Sequence, residues 1–310
     1  MPNLLCRAVM AVAAAAAGLM AASVPAAHAA TTPARSAITN NVSGNWAGYF
    51  KATTAPIGEA QVTFTVPTVK CKDSRGPAPI INGKPLYAGA MWIGIGGQRN
   101  FGFLHSEPGY SWLEQDGIQV QCRGLGAKPV YQPFWEVVAT PQFPDKHLST
   151  TSTVFDKGKA TVQPGDQIDA EVYTPAESPH RGSWLFEVSD QRDGVLVNQW
   201  TKYITLPKGT YSGKPGLLDS LNRETVEVIT ECPGTNKGQA GFVDLGPVNY
   251  TYADYFVTNT ENGYSIASTP INLVHRSRVA VSPGKPYTPE GSDIAKDAFN
   301  TNYAKGWWKP

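Results

Sequence analysis

Hydrophobic and polar residues alternate in many short segments of the chain, and a period of two is typical of β-strands. The clearest case is residues 60–67, where Val62, Phe64 and Val66 share one side of the predicted strand. No run of helical period is long enough to predict a helix. Roughly ten such segments, each bounded by turn residues, predict an all-β protein built as a two-sheet antiparallel β-sandwich.

Two of these segments also carry candidate chemistry. In the first, residues 112–121, the apolar side chains of Ile118 and Val120 lie opposite Gln115. We expect the apolar register to face the core and Gln115 to face away from it, where a cleft can form. A bulge near Gly117 would reverse this assignment, because one extra residue moves every following side chain to the other face.

The second segment, residues 225–231, alternates in the same way. Val226 and Val228 occupy one side of the predicted strand, and Glu231 occupies the other. Glu231 is therefore also expected on the face turned away from the core. We predict that the two segments meet in space and that Gln115 and Glu231 form a couple of an amide and a carboxylate.

Composition limits the classes of function that remain. The 310 residues are 41% hydrophobic, which is enough for a sizeable core. Only 16% are charged and the net charge is +1, so we expect no nucleic-acid partner. The 30 Gly and 25 Pro favour short strands joined by turns. Asp193-Gly194, between residues 184–188 and 195–204, predicts a hairpin turn.

The N-terminus has the pattern of a secretory signal peptide, assigned to residues 1–29. Arg7 supplies the positive start, residues 8–22 form a small apolar run, and Ala27-His28-Ala29 fits a cleavage site. A retained membrane anchor is the alternative, but the run is short and rich in Ala. We therefore expect a secreted, extracellular protein with no membrane contact after signal removal.

The remaining chain divides into three predicted parts. Residues 30–42 are polar and read as a flexible segment or a short propeptide. Residues 43–275 form the β-sandwich domain. Residues 276–310 are rich in Pro, Gly and Lys and are predicted to be an extended tail, disordered or used as a docking peptide. A monomer is expected.

Four cysteines are present, and Cys6 belongs to the predicted signal peptide. Cys71, Cys122 and Cys232 remain in a chain bound for an oxidising compartment, so one disulfide and one free thiol are expected. The spacing alone does not decide which two pair. Cys71 with Cys122 is preferred because both flank predicted loops.

Six short motifs occur in an order and spacing that resemble the eqolisins, or glutamic peptidases. They are Gly44-Asn-Trp-Ala-Gly48, Phe64-Thr-Val-Pro67, Trp92-Ile-Gly-Ile-Gly-Gly97, Leu113-Glu-Gln-Asp-Gly117, Pro164-Gly-Asp-Gln-Ile168 and Val226-Glu-Val-Ile-Thr-Glu231. The resemblance spans about residues 43–260. It implies a lectin-like β-sandwich with a substrate cleft on the concave face of one sheet. It also implies endopeptidase activity in acid on protein or peptide substrates.

Carried over by position, the family's catalytic Gln falls on Gln115 and its catalytic Glu on Glu231. Its early Trp falls on Trp46. The chain departs from the family where an Asp of the family becomes Gly96, which removes a carboxylate from the site. The acidic residue that usually follows the catalytic Glu is replaced by Cys232. A working pH less acidic than in relatives is therefore expected.

This chemistry gives each residue a role. A carboxylate such as Glu231 can take a proton from water as that water attacks a peptide carbonyl, and can return the proton to the leaving amine. The Gln115 amide can donate to the developing oxyanion. Trp46, Trp92 and Trp135 are candidate substrate-binding platforms, although each is as readily a core residue.

No cofactor or metal is expected. The histidines of the mature chain are scattered without ligand spacing; they are His105, His147, His180 and His275. A Cys–His nucleophile lacks an orienting group. The main alternative is a secreted carbohydrate-binding module, or a glycosidase that uses two carboxylates such as Glu114 and Glu231.

Overall fold

A computed structural model describes the main body of the chain in segments. They are residues 41–43, 45–96, 112–139, 153–155, 162–174, 177–180, 182–205, 225–235, 238–258, 260, 262–267, 269–275, 278–288 and 298–303. The predicted signal peptide lies outside them. Residues 40–310 belong to one compact unit. Within the described segments, no helix is long and apolar enough to cross a bilayer.

Strands make up nearly all of the regular structure. In the first half of the chain they are β1 (Asn41–Ser43), β2 (Trp46–Ala52), β3 (Ile57–Thr65), β4 (Ile80–Ile81), β5 (Lys84–Gly96), β6 (Trp112–Arg123), β7 (Val130–Ala139) and β8 (Thr153–Val154). A 3-10 turn covers Cys71–Asp73.

The described residues of the second half form the remaining strands. They are β9 (Gln167–Tyr173), β10 (Ser183–Arg192), β11 (Val195–Thr205), β12 (Thr225–Glu231), β13 (Gly234–Thr235), β14 (Gly238–Gln239), β15 (Gly241–Phe242), β16 (Val248–Val257), β17 (Gly263–Ser265), β18 (Thr269–His275), β19 (Arg278–Pro283) and β20 (Phe299–Tyr303).

These strands form two large antiparallel sheets, which confirms the predicted β-sandwich. The first sheet runs β8-β7-β6-β5-β12-β2-β18. The second runs β11-β10-β9-β3-β16. Strands β19 and β20 connect β18 to β16 along one edge. The short β1 and β15 add parallel pairings to β18 and β5.

The core lies between the sheets and follows the alternation in the sequence. From the first sheet it takes Ile93, Ile118 and Val228, and from the second it takes Phe64 and Val172, all with side chains at most 1% exposed. Because each strand presents every second residue to this layer, the opposite faces of both sheets remain available for polar side chains.

Two local predictions are confirmed by the structure. Strands β10 and β11 pair as a hairpin around Asp193 and Gly194, which have φ values of 53° and 76°. Positive φ at both central residues is the geometry that the Asp-Gly pair favours. Cys71 and Cys122 form the disulfide, and Cys232 is a buried free thiol.

Strands occur beyond both ends of the predicted β-sandwich domain. Asn41 and Val42, assigned to a flexible segment, pair with β18. Two strands lie inside residues 276–310, the segment predicted to be an extended tail. Phe299 of β20 is completely buried, with its ring 4.7 Å from the rings of Tyr49 and Tyr250. Core packing of this aromatic side chain overrides the polar composition around it.

Candidate active site

Five neighbouring strands of the first sheet, β7-β6-β5-β12-β2, carry the candidate couple. Gln115 on β6 pairs with Gly94 of β5, and Glu231 on β12 pairs with Ala90 of β5. Gly94 and Ala90 are four residues apart on the central strand. Residues separated by an even number share a face of a strand. Gln115 and Glu231 therefore lie on the same face of the sheet, on the two strands that flank β5.

That face is the one turned away from the main core, as predicted. The pairing of β5 with β6 runs without a register shift from Leu86 to Gly96, so no bulge interrupts the strand near Gly117. A Cβ atom at Gly117 would lie 2.1 Å from the backbone oxygen of Met91. Glycine therefore permits the close approach of β5 and β6 beside Gln115.

The carboxylate of Glu231 is held by a donor from β5 and by a donor from the residue directly before β2. Asn45 Nδ2 donates to its Oε1 at 2.9 Å, and Trp92 Nε1 donates to its Oε2 at 2.7 Å. Burial raises the pKa of Glu231, and the nearby side chains of Trp92, Trp46 and Asn45 oppose that rise. The side chain keeps partial solvent exposure. The result is an oriented carboxylate that remains reachable by water.

Gln115 is buried, with 4% of its surface exposed, yet its side-chain amide makes only part of the hydrogen bonds that it could make. Nε2 donates to Oε2 of Glu136 at 2.8 Å, across the β6–β7 pair. Among the described residues, Oε1 has no hydrogen-bond partner. A primary amide has two N–H groups and one carbonyl oxygen. One N–H and the oxygen of Gln115 therefore remain for a ligand.

Glu136 interacts with both members of the candidate couple, Gln115 and Glu231. Burial raises its pKa to about 7, the hydrogen bond from Gln115 lowers it, and the charge of Glu231 raises it. Glu136 is therefore a neutral acid below about pH 7, because burial disfavours its charged form and the nearby charge of Glu231 adds to that effect. The chain holds Gln115, Glu136 and Glu231 as one electrostatically connected group.

The three tryptophans predicted as substrate platforms occupy different environments. Trp46 is partly buried beside the site, with its ring 5.1 Å from Trp92 in an edge-to-face contact. Trp92 is completely buried and serves as a hydrogen-bond donor to Glu231. Trp135 lies on the opposite face of the sheet, where its ring is 5.7 Å from Phe186. The structure therefore places Trp46 and Trp92, but not Trp135, with Glu231.

The expected apolar register of β6 needs one correction. Glu114 and Asp116 share the core-facing register with Ile118, and both are at most 1% exposed. Burial, with charges from Glu171 and Glu187, raises the pKa of Asp116 well above its usual value. The neutral acid is the form that the core accommodates at lower free-energy cost.

A further buried carboxyl lies on the site face itself. Glu227 pairs with Phe50 on one side and Gly94 on the other, in the same cross-strand row as Gln115. It is completely buried, and burial raises its pKa well above the usual range, with a small opposing effect of Thr225. Glu227 is therefore expected to be a neutral acid next to the site.

Sequence reasoning missed two functional candidates. The sequence marks Asn45 only as part of the Gly44-Asn-Trp-Ala-Gly48 motif, and no motif marks Glu136. Asn45 directly precedes Trp46 of β2, which pairs with Glu231, so its position in the motif was the available signal. Glu136 carried no such signal, because its link to Gln115 depends on how β6 and β7 align.

The fold is a β-sandwich, and the outer face of its first sheet carries a carboxyl group and a side-chain amide. The model of the Peptidase A4 family matches residues 44–283, and the chain belongs to this family. It is therefore a glutamic endopeptidase, a hydrolase that takes proteins as substrates. No curated protein sequence matches the chain.

Proposed function

We propose that this peptidase is a secreted acid endopeptidase in which Glu231 is the general base and Gln115 stabilises the oxyanion. One observation carries the proposal. A carboxylate fixed by two donors shares a sheet face with a buried amide whose carbonyl oxygen has no partner within the described structure. General-base catalysis requires the first group, and polarisation of a peptide carbonyl requires the second.

In the first step, Glu231 accepts a proton from water as the water oxygen bonds to the scissile carbonyl carbon. The electron pair of the C=O bond moves to the oxygen. The remaining N–H of Gln115 donates to this oxyanion, while its carbonyl oxygen helps to orient the attacking water. Preorganised donors of this kind are worth roughly 3 to 4 kcal/mol of transition-state stabilisation.

In the second step, the proton held by Glu231 passes to the amide nitrogen of the substrate. The C–N bond then breaks, the carbonyl forms again as a carboxylic acid, and the amine leaves. Glu231 returns to its ionised form. Trp92 and Asn45 remain hydrogen-bonded to the carboxyl group and keep it oriented through both steps.

The working pH follows from the two carboxyl groups. Glu231 must be ionised, and its raised pKa moves the lower limit of activity upward. Glu136, with a pKa of about 7, ionises near neutrality, and we expect activity to fall there. We therefore place the optimum in mild acid, in keeping with the loss of a carboxylate at Gly96. The bell shape would report the coupled group rather than single residues.

The structure weakens the glycosidase alternative in the form suggested by the sequence. Glu114 pairs with Ile95, in the register that faces the core, whereas Glu231 faces away. Two catalytic carboxyls of a glycosidase must flank one bond. Glu114 and Glu231 lie on opposite faces of the sheet and do not meet this condition.

Gln115→Ala should lower kcat by about 100-fold to 1,000-fold on a quenched peptide, with little change in KM, because an oxyanion donor acts in the transition state. The rates are measured from pH 2 to 8. Gln119, which shares the face and lies in the cross-strand row of Glu231, is changed to Ala in parallel. A larger loss in Gln119→Ala would transfer the role to that residue.

We also propose that residues 1–29 direct secretion and are removed, and that the mature enzyme is a monomer. N-terminal sequencing of protein exported by an expression host should show a start near Ala30. A start after residue 42 in active material would instead support a removed propeptide. Retention of the Ala-rich segment in exported protein would contradict the signal assignment.

A further inference from the structure

We propose that Glu136 is a positioning residue for Gln115: by accepting one amide N–H, it directs the second N–H and the carbonyl oxygen of Gln115 into the cleft. The inference rests on the proposed function of Gln115. It starts from the 2.8 Å hydrogen bond across the β6–β7 pair. Gln115 and Glu136 are direct cross-strand partners, so backbone pairing fixes their separation.

An amide without this partner would not hold one orientation. The terminal torsion of a glutamine side chain is broad and nearly two-fold, so the N–H and oxygen ends exchange easily. Among the described residues, Oε1 of Gln115 has no partner that could select one end. The hydrogen bond to Glu136 is therefore the contact that fixes which end of the Gln115 amide carries the N–H groups and which carries the oxygen. It leaves the donor and the acceptor of Gln115 free at the same time.

The charges around Glu136 favour a neutral acid during catalysis. In the described part of the chain, Glu231 is the charged group from β12 that acts on it, and Gln115 of β6 is a neutral donor. From β8, Thr153 and Val154 pair with the neighbouring residues of β7 and carry no charge. Lys202 lies over Trp135, on the other face of the sheet.

A negative charge on Glu136 would oppose the oxyanion, because it would lie one hydrogen bond away from the amide that stabilises that oxyanion. The neutral acid avoids this repulsion and still accepts the N–H of Gln115. Ionisation near pH 7, which the burial of Glu136 and the charge of Glu231 bring about, is then expected to produce the upper limb of the pH profile.

Two substitutions separate positioning from other roles. Glu136→Leu removes the acceptor and should lower kcat on the order of 100-fold, with KM within about twofold, because the misoriented amide is felt mainly in the transition state. Glu136→Gln keeps an acceptor oxygen without a titrating group. It should recover most of the loss below pH 6 and should retain activity above pH 7, where the wild type declines.

The second sheet offers a matched control. Gln199 Nε2 donates to Glu187 Oε1 at 2.6 Å, which is an amide and carboxyl pair between neighbouring strands of that sheet. Glu187→Leu should leave kcat and the pH profile close to wild type. A readout besides activity is the side-chain amide resonance of Gln115, which should titrate near pH 7 in the wild type and lose that titration in Glu136→Gln.

Three outcomes would overturn the inference. They are unchanged kcat and pH profile in folded Glu136→Leu, a change confined to KM, and equal damage in Glu136→Gln and Glu136→Leu. Gln115→Ala and Glu231→Gln are assayed beside them. If those two variants lose activity and Glu136→Leu does not, the positioning role fails and the proposed function stands. Full activity in Glu231→Gln would count against the proposed function itself.

Discussion

Glu231→Gln is expected to lower kcat by about 1,000-fold to 10,000-fold at every pH between 2 and 8, because the variant can neither accept the proton of water nor return it to the leaving amine. KM should change little, since Glu231 acts on water rather than on substrate side chains. Digestion of denatured casein and of a quenched peptide measures both constants. This is the largest catalytic effect that we expect from any single substitution.

The variant also has a structural cost that must be separated from the chemical one. Both oxygens of Glu231 accept hydrogen bonds, from Asn45 and from Trp92. Gln offers one acceptor oxygen, so one donor loses its partner at a cost of about 1 to 3 kcal/mol. Thermal unfolding should show this loss while circular dichroism still shows the folded sandwich. Unfolded protein would make the activity assay irrelevant, and Glu231→Asp then serves as the second variant.

Glu187→Gln is a suitable control, because Glu187 is another carboxylate with side-chain hydrogen bonds from two strand neighbours, on the second sheet. Its activity should stay within about twofold of wild type. Peptidase activity in folded Glu231→Gln equal to that of the control would show that Glu231 is not the general base. The Glu136 pKa provides an independent check, since loss of the Glu231 charge should lower it.

Much of the fold was predictable because periodicity is a local property. Val226 and Val228 of β12 alternate with Glu231, and the structure keeps that register. The Asp-Gly hairpin was equally accessible, since the turn conformation is encoded by two neighbouring residues. The C-terminal strands were not, because the burial of Phe299 depends on contacts with Tyr49 and Tyr250, which are distant in sequence.

The site also contains features that local sequence predicts and features that depend on contacts between distant segments. Alternation placed Gln115 and Glu231 on the outer face, and the family motifs singled them out among other polar residues there. The role of Glu136 required knowledge of strand alignment, since a one-residue shift of β7 would move it to the other face. The role of Trp92 could not be predicted from its residue type. Its indole, proposed as an apolar platform, is buried, and its N–H group donates to the Glu231 carboxylate.

The buried acids predict an unusual dependence of stability on pH. Burial raises the pKa values of Asp116, Glu136 and Glu227 in the folded chain. Between the unfolded and folded values, the folded state binds more protons than the unfolded state, so the free energy of unfolding falls as pH rises. Stability should be highest in acid, near and below about pH 4, and should decline through neutrality.

The pKa of about 7 for Glu136 alone corresponds to roughly 3 kcal/mol lost across this range. Asp166 has the opposite effect on the pH dependence of the free energy of unfolding. Burial would raise its pKa, but Arg192 and the Gln163 N–H hold it below the usual value. Its contribution is therefore lost as pH falls. Among the described residues, Asp166 is opposed by several buried acids, so we expect the free energy of unfolding to fall toward high pH.

Glu227→Gln tests the origin of this decline, because it removes one titrating group and nearly preserves the shape of the side chain. Urea unfolding from pH 3 to 8 should show the variant gaining stability over wild type as pH rises, with the smallest difference in acid. Asp193→Asn, at the exposed hairpin turn, is the control, since Asn also accepts the φ of 53° found there. Parallel stability curves for wild type and Glu227→Gln would show that Glu227 is not held neutral. A wild-type stability curve that rises toward pH 8 would contradict the argument that buried neutral acids make this β-sandwich stable in acid. The proton on Glu136 has two effects in that argument. It avoids repulsion of the oxyanion, and, together with the protons on Asp116 and Glu227, it keeps the buried carboxyl groups of the first sheet uncharged.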